Sequence, residues 1–146
     1  MSKILVPVDG SDYSKRALEQ ALSIAKGNAS TGAVVVTAIH VIVPMPTVNV
    51  GSQKVLDDAK AKLRSEASKL LDECKATAKE RAALDIETVI LVGTSPGESI
   101  VGFCEKGNFN LIVMGAKGHS KLKDIVLGST SDKVVHHAKC SVLVVR

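Results

Sequence analysis

Leu111-Ile-Val-Met-Gly-Ala-Lys-Gly-His-Ser-Lys-Leu-Lys-Asp-Ile-Val-Leu-Gly-Ser-Thr-Ser131 is the stretch whose reading decides the fold. An unbroken aliphatic run, Leu111 to Met114, stops at a glycine. It passes through a polar loop and gives way to a helical pattern from about Asp132 to His137. Four apolar residues without alternation suit a strand covered on both faces of its sheet. A strand that leads through glycines into a helix is part of a βαβ unit, so the rest of the chain should alternate in the same way.

Four further apolar runs do so: Lys3 to Val8, Ala33 to Val43, Ile86 to Val92 and Ser141 to Val145. The first is followed by the turn Asp9-Gly-Ser-Asp12 and a helical pattern through Ala17, Leu18, Ala21, Leu22, Ile24 and Ala25, with Gly27 and Asn28 as its stop. The second ends in Pro44-Met-Pro46, which cannot continue a central strand, and Thr47 to Ser52 carries no helical signal. Leu56, Ala59, Leu63, Ala67, Leu70, Cys74 and Ala78 then lay one apolar stripe along a long helix suited to packing on a sheet. After the third run, Pro96 opens a helix that reaches about Lys106. The expected fold is a doubly wound α/β sandwich with a parallel sheet and right-handed crossovers, forming one domain over residues 1–146.

Composition narrows the function. The chain is 45% apolar with no Trp, one Tyr and two Phe, so its core is aliphatic. A formal charge of +4 is mild, and the charged stretch Lys54 to Arg81 mixes eight basic with six acidic residues. That is a solvated helix face, without the concentrated basic surface and stacking aromatics of a nucleic-acid binder. No run approaches the ~20 apolar residues of a membrane span. The short apolar stretch Ile4 to Val8 is no signal peptide, and three cysteines without a C-x-x-C read as free thiols. A cytoplasmic protein is expected.

In a doubly wound sheet, ligands bind beyond the carboxyl ends of the strands where the strand order reverses. After Met114, Gly115 is followed three residues later by Gly118 and ten further on by Gly128, then by Ser129, Thr130 and Ser131 at the approach to a helix. Glycines allow backbone N–H groups close to a phosphate, a helix N-terminus favours an anion, and the hydroxyls add donors. The same residues also suit a strand end and a capped turn. Neither G-x-x-x-x-G-K-[ST] nor G-x-G-x-x-G is present. At the end of the first strand, Pro7 cannot donate to the ladder, so pairing should lapse there. Asp9 is suited to a ribose hydroxyl or a magnesium ion, and equally to forming the turn. Neighbouring first and fourth strands would set it opposite Gly115. Lys117, Lys121 and Lys123 are within reach of phosphates or are solvated loop charges. His40, His119, His136 and His137 lack metal-ligand spacing, and no carboxylate pair is placed for acid–base work.

Ile4-Leu-Val-Pro-Val-Asp-Gly-Ser11, the pattern Gly115, Gly118, Gly128 and Ser129, and the closing Cys140-Ser-Val-Leu-Val-Val145 together resemble the universal stress protein family, in particular its ATP-binding subgroup. The resemblance implies a five-stranded parallel sheet of order 3-2-1-4-5 with helices on both faces, a Rossmann-like fold of the adenine nucleotide alpha-hydrolase type. It implies adenine near Pro7, Val8 and Val41, ribose near Asp9 and Gly115 at the end of the Met114 strand, and phosphates over Gly118, Gly128, Ser129, Thr130 and Ser131. It also implies a homodimer formed through the last strand, Val142 to Val145. The function expected is an ATP- or AMP-binding regulator with magnesium, acting as a nucleotide-dependent dimeric switch. A slow, partner-dependent ATPase or phosphotransferase is the alternative, and a dimeric scaffold with an idle pocket a third.

Overall fold

Nine elements alternate along the chain in a computed structural model that describes residues 1–46, 51–119, 123 and 126–146. They are β1 (Ser2–Pro7), α1 (Asp12–Gly27), β2 (Val34–Ile42), α2 (Gln53–Ala82), β3 (Glu87–Val92), α3 (Pro96–Lys106), β4 (Leu111–Gly115), α4 (Ser129–His137) and β5 (Ser141–Val145). The strands form one parallel sheet of order β3-β2-β1-β4-β5. Lys121 and Thr47 to Val50, which belong to segments of interest in the sequence, lie outside the described residues.

Period-2 alternation sorts the strand residues between two cores. Ile4, Val6 and Val8 of the first strand and its turn, with Val36, Ala38 and Val113, pack against α1 and α2 through Ala17, Leu18, Ala21, Leu22, Leu71, Cys74 and Ala78. Leu5, Ile39, Ile112 and Met114 face the other way, against Ile100 and Cys104 of α3 and Val134 of α4. Both faces are therefore covered, which is why the strands read as continuous aliphatic runs.

Helix ends follow their sequence signals. Ser11, Ser52 and Ser95 cap α1, α2 and α3, each accepting the N–H three residues on. One boundary and one burial pattern differ from expectation. The last helix begins at Ser129, three residues early, because Gly128 takes the cap position and Ser129 to Ser131 become its first turn. The stripe on α2 is not uniformly buried: its buried residues begin at Ala67, while Leu56, Ala59 and Leu63 stay half-exposed beyond the sheet. Among the described residues no helix is long and apolar enough to cross a membrane.

Cys74 sits on the buried face of α2 within the first core, 6% exposed. Burial, helped by the neighbouring Glu73 carboxylate, pushes its thiol from 9.0 up to about 11. Between those values the unfolded chain has lost a proton that the folded chain keeps. The contribution to stability is therefore full below pH 9 and disappears as the pH rises towards 11. Urea-unfolding free energies measured across that range should fall with pH more steeply in the native protein than in Cys74→Ala. Equal slopes would contradict the assignment.

Candidate functional site

A missing N–H opens the site. Val8 N–H donates to Ile39 O at 2.8 Å, so the alternation of N–H directions turns position 7 towards β4. Position 7 is a proline with no hydrogen to give. The β1–β4 register accordingly ends at the pair Leu5 and Ile112, whereas β1 stays in register with β2 as far as Pro7 and Ile39. Pairing thus lapses at Pro7 on one side only. β4 keeps its partnership with β5 through Gly115 and Val145, and Ala116 N–H continues it to Val145 O at 2.7 Å. By the same alternation, Gly115 N–H points into the gap that β1 has left.

The gap is a cleft of about 350 Å³ at the carboxyl ends of β1, β2 and β4. Pro7, Val8, Asp9, Val41, Met114, Gly115, Gly118, Gly128, Ser129, Thr130 and Ser131, all singled out for a ligand, line it, whereas exposed Lys123 does not. Ile39, His40, Pro96, Ile100, Lys117 and His119 join them. One end is apolar, formed by Pro7, Val8, Ile39, Val41, Ile100 and Met114. The other end is backbone-rich and carries Gly118, Gly128 and the first turn of α4.

Sterics explain the glycines. A Cβ on Gly115 would lie 2.6 Å from Tyr13 Cβ and 2.8 Å from Tyr13 carbonyl carbon, so β4 meets the start of α1 at backbone distance. A Cβ on Gly118 would lie 2.6 Å from Asp9 Oδ2. Asp9 therefore faces Gly118, not Gly115 as straight strands would have it. Asp9 Oδ1 accepts Ser11 N–H at 2.9 Å, and Asp9 N–H donates to Ser14 Oγ at 3.3 Å. One carboxylate oxygen thus forms the turn while the other borders the glycine loop.

The loop end of the cleft is anchored on Ala116 O. It accepts from Gly128 N–H at 2.7 Å and from Ser131 Oγ at 2.6 Å. The Ser131 hydroxyl proton is thereby engaged with the backbone, and only 2% of the residue is exposed. Ser129 is exposed and Thr130 half-buried. The N-cap Gly128 supplies no side-chain acceptor to α4, unlike the serines that cap the three preceding helices. The first-turn N–H groups of α4 therefore meet the cleft without a side-chain cap, which is the arrangement that receives an anion.

Two histidines complete the walls. His40 Nδ1–H donates to Val8 O at 2.8 Å, which leaves Nε2 as the acceptor of the neutral ring. His119 Nε2–H donates to Asp9 O at 2.6 Å and ties the glycine loop to the first turn. Their sequence positions carry no metal spacing, so nothing short of the folded chain shows them meeting at one cleft. Gly93-Thr-Ser-Pro-Gly97 has the G-x-S-x-G spelling of a nucleophile elbow and lies between a strand and a helix. Ser95 is nevertheless a cap: its Oγ accepts Glu98 N–H and a 3.5 Å contact from Lys133 Nζ, neither of which can take its proton.

The Universal stress protein family matches the chain over residues 1–146. A universal stress protein of Methanocaldococcus jannaschii is 37% identical over 145 residues, covering 99% of this chain and 81% of its own. The solved structure of the universal stress protein UspA from Lactobacillus plantarum superposes with a TM-score of 0.86 at 28% identity, covering 99% and 97% of the two chains. A universal stress protein solved in complex with cAMP is 30% identical, with a TM-score of 0.72 and coverage of 99% and 97%.

Two alanine substitutions read the glycine geometry with opposite signs. Gly115→Ala forces apart β4 and α1 and should cost about 1–3 kcal/mol. Gly102, inside α3, has nothing within 4 Å of its Cβ position, so Gly102→Ala should gain about 0.5–1 kcal/mol. Urea midpoints that move in the same direction would contradict this packing.

Proposed function

This chain belongs to the universal stress protein family, and on that premise we propose that it is an adenine-nucleotide-binding regulator taking ATP or AMP, with magnesium, into the cleft beside Pro7. The observation that carries the reading is the meeting of three features in one cleft. They are an apolar end, a carboxylate at Asp9 facing Gly118, and the uncapped first turn of α4. A purine fits the apolar end among Val8, Ile39, Val41 and Met114. A ribose hydroxyl or a magnesium ion suits Asp9, and phosphates suit the N–H groups around Gly118, Gly128, Ser129 and Thr130. Ser131 contributes its backbone N–H, with its hydroxyl holding Ala116 O. The relative solved with cAMP supports an adenine ligand in this fold.

The regulatory part of the proposal rests on β5. Among the described residues it pairs with β4 alone, and Val142 to Val145 are half-buried on an open edge. An apolar edge strand invites a second copy, so we assign Val142 to Val145 to a homodimer whose pairing responds to the nucleotide. Free thiols at Cys74, Cys104 and Cys140 suit the reducing cytoplasm.

Titration calorimetry with Mg-ATP and with AMP should show binding in the micromolar range, about −8 kcal/mol. Ligand at 100 times Kd should raise Tm by about 5–10 °C, and Gly118→Val should abolish both effects by placing bulk against Asp9. No heat and no thermal shift with any adenine nucleotide would overturn the reading. For the dimer, Val144→Pro should leave a folded monomer by analytical ultracentrifugation. A native protein that sediments as a monomer with and without nucleotide would remove the switch.

A further inference from the structure

Cys104 ends the buried face of α3, and Cys140 sits in the turn between α4 and β5. Their sulfurs are 3.3 Å apart, in thiol hydrogen-bond contact, although 36 residues separate them in sequence. Both pack into the core on the α3–α4 face with Ile100, Phe109 and Val134. Cys104 is 4% exposed, while Cys140 is only half-buried and also donates to Ser141 O at 3.4 Å. Cys74 belongs to the opposite core, with the sheet between it and the pair.

A disulfide needs its sulfurs at about 2.05 Å, and these two thiols, brought in by separate elements, already stand at 3.3 Å. The sulfurs would move by roughly 1.2 Å to bond. We propose that Cys104 and Cys140 form a redox-active dithiol which a peroxide converts into an intramolecular disulfide, with Cys140 as the attacking thiol and Cys104 as the resolving one.

Cys140 sulfur attacks one oxygen of hydrogen peroxide. The S–O bond forms, the O–O bond breaks, and the departing hydroxide leaves as water with the thiol proton, so that a sulfenic acid remains on Cys140. Cys104 sulfur then attacks the Cys140 sulfur. The S–S bond forms, the S–O bond breaks, and a second water departs with the Cys104 proton. Two thiols lose two electrons and the peroxide gains them. The roles follow from the surroundings. Burial first, then the hydrogen bond with Cys140, pushes the Cys104 thiol up to about 12, so it keeps its proton until the sulfenic oxygen beside it can accept it. Cys140 is the thiol that solvent reaches. The bond would tie α3, which lends Pro96 and Ile100 to the cleft, to the root of β5.

The test treats the purified full-length protein with hydrogen peroxide and then denatures and alkylates it without reductant. Alkylatable thiols should fall from three to one. Non-reducing peptide mass spectrometry should join the Cys104 and Cys140 peptides, and dithiothreitol should restore all three thiols. In Cys104→Ser, dimedone should trap a sulfenic acid on Cys140. In Cys140→Ser, Cys104 should remain a thiol over the same exposure. Three thiols surviving peroxide in the native protein, a disulfide that includes Cys74, or a Cys140–Cys140 bond between two chains would each overturn the proposal. None of these readouts needs a nucleotide, so the outcome is independent of the ligand assigned to the cleft.

Discussion

The site depends on one absent hydrogen bond. Pro7 stands where β1 would donate to β4, and the ladder between the two central strands ends just before it. On its other side β1 keeps pairing, with Val8 N–H on Ile39 O. The sheet therefore opens between β1 and β4 while staying closed elsewhere. This is also where the strand order reverses, so the α1 and α4 crossovers diverge to opposite faces and leave a gap between them. Topology supplies the position of the cleft, and the proline supplies its depth.

Once the strands part, the loop after β4 has to be held by something other than the ladder. Ala116 O gathers Gly128 N–H and the Ser131 hydroxyl, and His119 fastens the loop to Asp9 O. These bonds cross from loop to turn using the backbone, which is possible only where side chains do not intervene. Gly115 and Gly118 leave that room, against Tyr13 and Asp9 respectively. The side chains that would cap α4 are likewise absent. In the three other helices a serine satisfies an N–H of the first turn, whereas α4 starts on Gly128 and turns those groups to the cleft.

Much of this was legible in the sequence because it is written in residue types that few other environments tolerate. Aliphatic runs without alternation mark strands covered twice, and glycines at 115 and 118 mark close approach. Other parts carry no such signature. Setting the first and fourth strands side by side puts Asp9 opposite Gly115 only if both strands stay straight. The chain leaves the sheet after Pro7, and Asp9 comes to Gly118 instead. Ser131 reads as a ligand donor by type, but a buried hydroxyl next to a loop carbonyl bonds the carbonyl. Ile39 and Ile100 look like any core residues, since apolar side chains give no sign of which end of a core stands open. Cys104 and Cys140 read as unrelated free thiols, because only the packing of α3 beside the α4–β5 turn brings them together.

The cleft and the core share residues, and this limits how the site can change. Ile39, Ile100 and Met114 are 0%, 2% and 4% exposed and belong to the core on the α3–α4 face, yet they also line the apolar end of the cleft. A ligand's flat apolar part resting there extends that core and removes further apolar surface from water. Ligand binding is then linked to the stability of the whole fold. Truncating any of these three residues would cost the core about 2–5 kcal/mol in addition to its effect on the ligand. Residues that border the cleft without filling the core can change at less cost to the fold. Half-buried His40 and Val41 on β2, and Pro96 at the start of α3, meet that condition. They lie around the apolar end, where the proposed base would rest. The glycine loop is held by bonds to the backbone oxygens Ala116 O and Asp9 O instead, so side-chain changes around the apolar end leave it in place.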